Sequence, residues 1–238
     1  DILHSLFDFP YSGYDPNNVF LNGAWSEETD ASVLYVFHQF SEGTKVYRVN
    51  EGMTAAAYRG EIPQTPFMNN SIAVSSRDPD KLYIGCVDCF RSFNGGASFV
   101  KINDWWEYYD APATKLHADV PGIDLFFNTD TDDELVFVST DGGLYLSLDD
   151  MLSVDNLSLN NLAVSQYYST YTSWHNTNAI YAGSQDQGFQ RTISAEPGMI
   201  EFTQEISGDY GQIVSADSGR SMWTVYPNFA MYAPNILH

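Results

Sequence analysis

The chain is 238 residues long, enough to bury a sizeable core as one domain or as part of a larger one. Its 10 Lys and Arg against 31 Asp and Glu give a formal net charge of −21, a surface that repels nucleic acid and anionic membranes and argues against phosphate-backbone binding. No run of about 20 apolar residues offers a membrane span, and the sequence shows neither an initiating Met nor a signal peptide.

With 15% aromatic and 17% charged residues, the chain has the balance of an all-β protein rich in turns. Helix-period patterns are nearly absent, so little helix is expected. Asp1 to Trp25 is aromatic and full of turn residues, and is expected to complete a sheet whose beginning is missing. Ser32–Val49, SVLYVFHQFSEGTKVYRV, reads as part of an early sheet. Gly52 to Asn70, broken by Pro63 and Pro66, is expected to be a connection.

Ser71–Ile102 is the clearest unit. Strands are expected at Ser71–Ser76, Lys81–Gly85, Phe90–Phe93 and Ser98–Ile102. The turns Cys86–Cys89 (CVDC) and Asn94-Gly95-Gly96-Ala97 separate the last three, and glycine pairs between alternating apolar runs are a strong hairpin signal. Four antiparallel strands in a row make one blade of a β-propeller. Asn103 to Gly122 is then the longest interblade loop. Ile123–Ser147 gives three strands of the next blade, with Leu148–Asn161 polar and loop-like. Gln166–Phe202 and Ile213–Tyr232 supply two further blades.

The core strand Leu82–Gly85 recurs as Leu135–Val138, as Ile180–Gly183 and more loosely as Met222–Val225. Tyr83, Phe137, Tyr181 and Val225 lie 54, 44 and 44 residues apart, steps of blade size. The expected fold is therefore all-β, a propeller of four-stranded antiparallel blades. Its blades would fall at 1–62 (partial), 63–116, 117–162, 163–207 and 208–238 (partial). Both ends, Asp1 and Asn235–His238, leave the ring open, so the chain is expected to be an incomplete portion of a larger propeller in a longer extracellular protein.

Ser92–Phe99, SFNGGASF, resembles the Asp-box (BNR) motif S-x-D-x-G-x-T-W, with Asn94 in place of Asp and Phe99 in place of Trp. Ile180–Thr192, IYAGSQDQGFQRT, and Ile206–Gly211, ISGDYG, are similar to phrases that mark successive blades in secreted bacterial BNR-repeat propellers of the sortilin and xyloglucanase type. The resemblance covers roughly residues 70–230 and implies the fold. It does not imply one function, because the fold hosts glycosidases, sorting receptors and adhesins. It does imply that xyloglucanase-type enzymes place a catalytic Asp in such a turn, opposite another across the cleft. Sialidase chemistry is disfavoured: it needs an arginine triad, and Arg48, Arg59, Arg77, Arg91, Arg191 and Arg220 are scattered.

Each core strand is followed by a turn with an Asp: Asp88, Asp141 and Asp186. These are expected at the same place in every turn, on one face of the blades with the Trp105–Tyr109 loop and His117. Asp209 in SGDYG takes a similar position. As catalytic groups, Asp141, Asp186 and Asp209 would supply paired carboxylates, about 6.5–9.5 Å apart for inverting hydrolysis. As structural groups, they hold their turns through backbone N–H groups, and recurrence in several blades favours this reading. The ligand-binding candidates are Trp105, Trp106, Tyr108 and Tyr109, whose ring faces stack on sugars and whose clustering marks an interaction surface. His117, Asp88, Gln185 and Asp186 stand beside them. The alternative is that these rings fold over to cover a blade junction.

Cys86 and Cys89 suggest a disulfide across the hairpin, with free thiols as the alternative and no second Cys pair to complete a zinc site. In Asn128–Glu134, the side chains of Asp130, Asp132 and Glu134 supply the alternating oxygen donors that calcium favours, but a plain solvated turn competes with that reading. No other cofactor is expected. The expected function is a non-catalytic extracellular or cell-surface interaction module. Its partners would be a glycan or protein and the rest of the same longer chain, without nucleic acid or membrane insertion. The alternative is a glycoside hydrolase of xyloglucanase-like type using paired Asp residues.

Overall fold

The computed structural model describes residues 19–26, 30–52, 55–160, 165–195, 197–198 and 200–233. The turn-rich start before Val19 and the closing Asn235–His238 lie outside them. The chain forms two compact units, residues 1–162 and 163–238.

The first unit contains three four-stranded antiparallel meanders. They are β1 (Val19–Ser26) to β4 (Ala57–Ile62) by way of β2 (Ala31–Phe40) and β3 (Gly43–Asn50); β5 (Ile72–Val74), β6 (Leu82–Gly85), β7 (Cys89–Ser92) and β8 (Val100–Lys101); and β9 (Gly122–Asn128), β10 (Asp133–Thr140), β11 (Gly143–Ser147) and β12 (Asp155–Asn156). The second unit holds a four-stranded meander, β13 (Ser169–Thr172), β14 (Ile180–Gly183), β15 (Phe189–Thr192) and β16 (Thr203–Ile206). Three more strands follow, β17 (Tyr210–Val214), β18 (Met222–Pro227) and β19 (Ala230–Tyr232). The four repeats of the core strand lie in β6, β10, β14 and β18, each the second described strand of its own sheet, and none pairs with another. The chain is thus an all-β protein built of consecutive propeller-type blades.

Alternation along each strand builds the blades' packing, because successive side chains point to opposite faces. In β6, Leu82 and Ile84 enter a core shared with Val33, Tyr35, Phe37 and Val46 of the preceding sheet. Tyr83 points the other way, into a core with Ile123, Val136, Val138 and Tyr145 of the following one. In the second unit Tyr181 and Phe189 pack on Tyr210, Ile213 and Met222.

Two strands lie where the sequence suggested loop. β4 sits inside the expected connection Gly52–Asn70, and its pattern is hard to see because only Ile62 is buried. β12 sits inside Leu148–Asn161 and consists of two polar residues, Asp155 and Asn156. Asn156 is nonetheless buried: its N–H donates to Ala113 O and its Nδ2 to Pro112 O, at 2.9 and 3.0 Å.

Among the described residues one turn occurs three times. Ser92 Oγ donates to Asn94 Oδ1 (2.9 Å) and accepts from Gly96 N–H (3.0 Å), while Asn94 Oδ1 accepts from Ser98 N–H (2.9 Å). Ser147, Asp149, Met151 and Ser153 repeat all three bonds at 2.9 Å. Ser215, Asp217, Gly219 and Ser221 repeat them at 2.9, 2.8 and 2.8 Å. These bonds, led by that from Ser221 N–H, hold the Asp217 carboxyl down at about 2. The fourth and fifth residues of every copy are left-handed: Gly95 and Gly96, Asp150 and Met151, Ser218 and Gly219.

Asp150 and Met151 take that conformation without glycine, which costs about 1–2 kcal/mol per residue. Contacts with the preceding sheet offset the cost. Lys81 Nζ reaches both Asp150 carboxylate oxygens at 2.8 Å, and Arg91 donates to Asp150 O at 2.7 Å. Arg59 holds Asn94 O and Gly95 O in the same way, at 2.8 Å each.

Candidate functional site

The candidate site is built where the second and third sheets of the first unit meet. Gly85 ends β6 under Val120, whose carbonyl and side chain fill the space a Cβ would need. Val120 N–H donates to Cys86 O (2.9 Å) and Asp119 N–H to Val87 O (3.1 Å). From the other side, Asp141 N–H donates to Asp119 O (3.3 Å). Residues 119–120 are therefore clamped between the β6–β7 turn and the β10–β11 turn.

The long loop that leads there is tied at both ends. Buried Asn103 accepts Leu116 N–H and donates to Leu116 O, at 3.0 and 3.1 Å, as a paired strand residue would. Asp104 N–H donates to Glu107 Oε1 (2.9 Å), opening a short 3₁₀ helix, Trp105–Tyr109. Asp88, 6% exposed, lies beneath this helix. Its Oδ1 accepts Trp105 N–H (3.0 Å) and its Oδ2 accepts Gln64 Nε2 (2.8 Å). Lys101 pairs with Asp88 at 3.4 Å and also with Asp104. Asp88 is committed to holding the loop and is not presented to a ligand.

The aromatic side chains divide. Tyr108 packs edge-on against His117, 4.6 Å between centroids. Trp105, Trp106 and Tyr109 stay open to solvent, 40, 54 and 59% exposed. His117 is buried, with its N–H donating to Tyr145 OH (3.3 Å) and its Nδ1 facing Ala118 O (3.0 Å). It supports the rings from below. The Asp141-Gly142 turn abuts His117, since a Cβ on Gly142 would collide with the His117 ring. Asp119 lies next to both. Burial pushes its carboxyl above the usual carboxylate range, the Asp141 charge adds to that push, and His117 opposes it.

The second unit has a corresponding corner. Gly183 ends β14 with no room for a Cβ beneath Tyr210 O, and Tyr210 N–H donates to Ser184 O (3.0 Å). Asp186 N–H donates to Asp209 Oδ1 (2.8 Å), and Gln185 Oε1 accepts Tyr168 OH (2.8 Å).

The turn aspartates do not share one place. The turns between paired strand ends span 86–88, 141–142 and 184–188, so Asp88 closes the first, Asp141 opens the second and Asp186 sits mid-turn at φ 60°. Asp141 and Asp186 belong to different units; the residues brought together are Asp141 with Asp119, and Asp186 with Asp209. Asp119 and Gln64 escape the sequence reading. The available signal for Asp119 was HADVPG beside SGDYGQ, an Asp shortly before the Gly of a blade's first strand.

The expected Cys86–Cys89 disulfide is not formed; both thiols are free and buried. Cys86 enters the core with Ile84 and Phe90, whereas Cys89 enters the opposite core with Tyr83, so the sheet separates them. Burial, chiefly, pushes both thiols up, Cys89 to about 12, which makes them inert. The calcium candidates also part. Asp132 pairs with Arg77, and Glu134 Oε1 accepts Ser75 Oγ (2.7 Å). Their shared cavity of about 210 Å³ is lined by Arg77 and Lys81 as well, cations that oppose a metal ion. Among the described residues, no group of three or more His, Cys, Asp or Glu is arranged to hold one.

No protein-family model matches the chain, and no curated protein matches it in sequence. Solved structures similar to it include the GH74 enzyme of Niastella koreensis, at 12% identity and TM-score 0.43, over 87% of this chain and 33% of that one. The β-propeller domain of Swd1 from Myceliophteria thermophila is similar at 11% identity and TM-score 0.38, over 90% of this chain and 64% of that one. YCF48, solved bound to D1 peptide, is similar at 15% identity and TM-score 0.37, over 93% of this chain and 74% of that one. The chain thus spans a third of the Niastella enzyme's length and less than two thirds of the Swd1 domain's.

Proposed function

We propose that the chain is part of a non-catalytic interaction module, working outside the cell or at its surface, and that it takes a glycan or protein on the Trp105–Tyr109 face. The observation that carries this reading is three large aromatic side chains left open on a loop that is cross-linked underneath by Asn103, Asp88 and Gln64. A rigid exposed apolar patch rimmed by polar groups is the usual form of an interaction surface. The acidic, Lys-poor composition supports an extracellular setting, and the recurrent Ser-x-Asp turn supports kinship with Asp-box propellers. The test is a glycan and surface-protein binding screen with the full chain beside a Trp106→Ala/Tyr109→Ala variant. Partners should be lost in the variant while its melting temperature holds; partners retained would place the site elsewhere.

Asp119 and Asp141 favour a second reading, a glycoside hydrolase of xyloglucanase-like type. A carboxyl held above its usual range beside an exposed one suits a general acid and its partner base. Polysaccharide turnover that disappears in Asp119→Asn would select this reading over the first.

A further inference from the structure

We infer that the group received by the Trp105–Tyr109 face is a cation, the ammonium or guanidinium of a Lys- or Arg-bearing segment of a partner protein. The inference rests on reading this face as a binding surface and adds the charge of what binds there. The ring geometry comes first. Trp105 stands at 82° to Trp106 with centroids 5.8 Å apart, and at 82° to Tyr109 at 6.2 Å. A sugar stacks best on one flat, open ring face. Walls that meet near a right angle form a corner instead, where a compact cation approaches more than one ring within about 6 Å.

A cation already tests one of these rings. Lys101 Nζ lies 5.8 Å from the Trp106 centroid, steered there by Asp88 and Asp104. The charge around the corner points the same way. Its two nearby lysines are neutralised in place, Lys101 by Asp88 and Asp104 and Lys115 by Glu107. Among the described residues, no ion pair involves Asp110, Asp119 or Asp141. The face thus carries open aromatic rings and a surplus of carboxylates in a chain of net charge −21. A neutral glycan would gain nothing from that field and an anionic partner would be repelled, whereas a basic segment satisfies both rings and charge.

The test uses the full chain at about 0.15 M salt, where the Debye length of about 8 Å damps the general attraction of an acidic protein. A capped Gly-Lys-Gly-Lys-Gly peptide, its Nε-acetylated form and a neutral cello-oligosaccharide are titrated by tryptophan fluorescence and calorimetry. We expect the lysine peptide to bind and the acetylated form to bind at least tenfold more weakly. Trp106→Ala, which leaves the net charge unchanged, should weaken the lysine peptide by about five- to thirtyfold. Trp174→Ala, at an 82% exposed position in the second unit, should bind as the parent does. Equal binding by Trp106→Ala and the parent, or by the two peptide forms, would overturn the inference. Binding of the oligosaccharide but not the peptide, lost in Trp106→Ala, would overturn the cation while keeping the face as a binding surface. If no ligand responds to Trp106→Ala, both fall.

Discussion

The two corners, one in each unit, share a skeleton and differ in what stands on it. In both, a glycine ends the blade's second strand because the next blade's main chain occupies its Cβ position, Val120 over Gly85 and Tyr210 over Gly183. In both, the residue before that carbonyl is Asp. In the second unit the connection from β16 to β17 is only Ser207–Asp209, and the Asp209 carboxylate turns inward to accept Asp186 N–H. In the first unit the connection is long and carries its own support, so Asp119 is left beside Asp141 with its carboxyl raised by burial. A blade junction is closed by default; the inserted loop, with its aromatic helix and its Asn103 and Asp88 ties, turns one junction into an open surface.

The largest losses are expected in the shared skeleton. Gly85→Ala and Gly183→Ala should each cost about 2 kcal/mol or more, because a methyl group meets main chain that cannot yield easily. Chemical denaturation would measure both. A tolerated Gly183→Ala beside a damaging Gly85→Ala would mean the corners are not equivalent. Next in size is Asp88→Ala, which strips the partly buried Trp105 N–H and Gln64 amide of an acceptor and should cost about 1–3 kcal/mol. Amide exchange at 105–109 should quicken with it; unchanged exchange would remove Asp88 from the loop's support. Its counterpart, Asp209→Ala, leaves an N–H near the surface that water can satisfy, so about 0.5–1.5 kcal/mol is expected.

The regular part of this molecule was legible because alternation and repeat are properties of the chain itself. Leu82–Gly85 and its three echoes read correctly as the second strands of separate sheets. What failed to show depended on partners distant in sequence. Ser147–Ser153 hides its turn because Asp150 and Met151 replace the glycines of Gly95-Gly96, and the Lys81 and Arg91 contacts that hold Asp150 come from far back in the sequence. Cys86 and Cys89 look like a hairpin disulfide until strand parity sends them to opposite cores. Asp88 reads as a surface turn residue, and becomes buried only because Gln64 and Trp105 close over it.

The smallest expected effect separates the two aspartates most cleanly. A carboxyl whose pKa is raised by folding holds its proton more tightly in the folded chain. The resulting penalty is absent below the unfolded value of about 3.9, grows as pH rises toward the folded value, and is complete above it. Asp119 is such a group, with burial the leading cause. Asp119→Asn removes the penalty, so the variant should melt above the parent at pH 7, and the gain should vanish below about pH 4. The side chain is only half-buried, so the rise should stay under the roughly 2–4 °C that 1 kcal/mol gives in a chain of this size. Asp209→Asn should show no such gain at any pH, because it exchanges a charge-assisted bond from Asp186 N–H for a neutral one. Melting curves of both variants between pH 3.5 and 7.5 decide the matter. An Asp119→Asn curve that runs below the parent at pH 7 would show that Asp119, like Asp209, is held by hydrogen bonds, and the open corner would lose its distinguishing carboxyl.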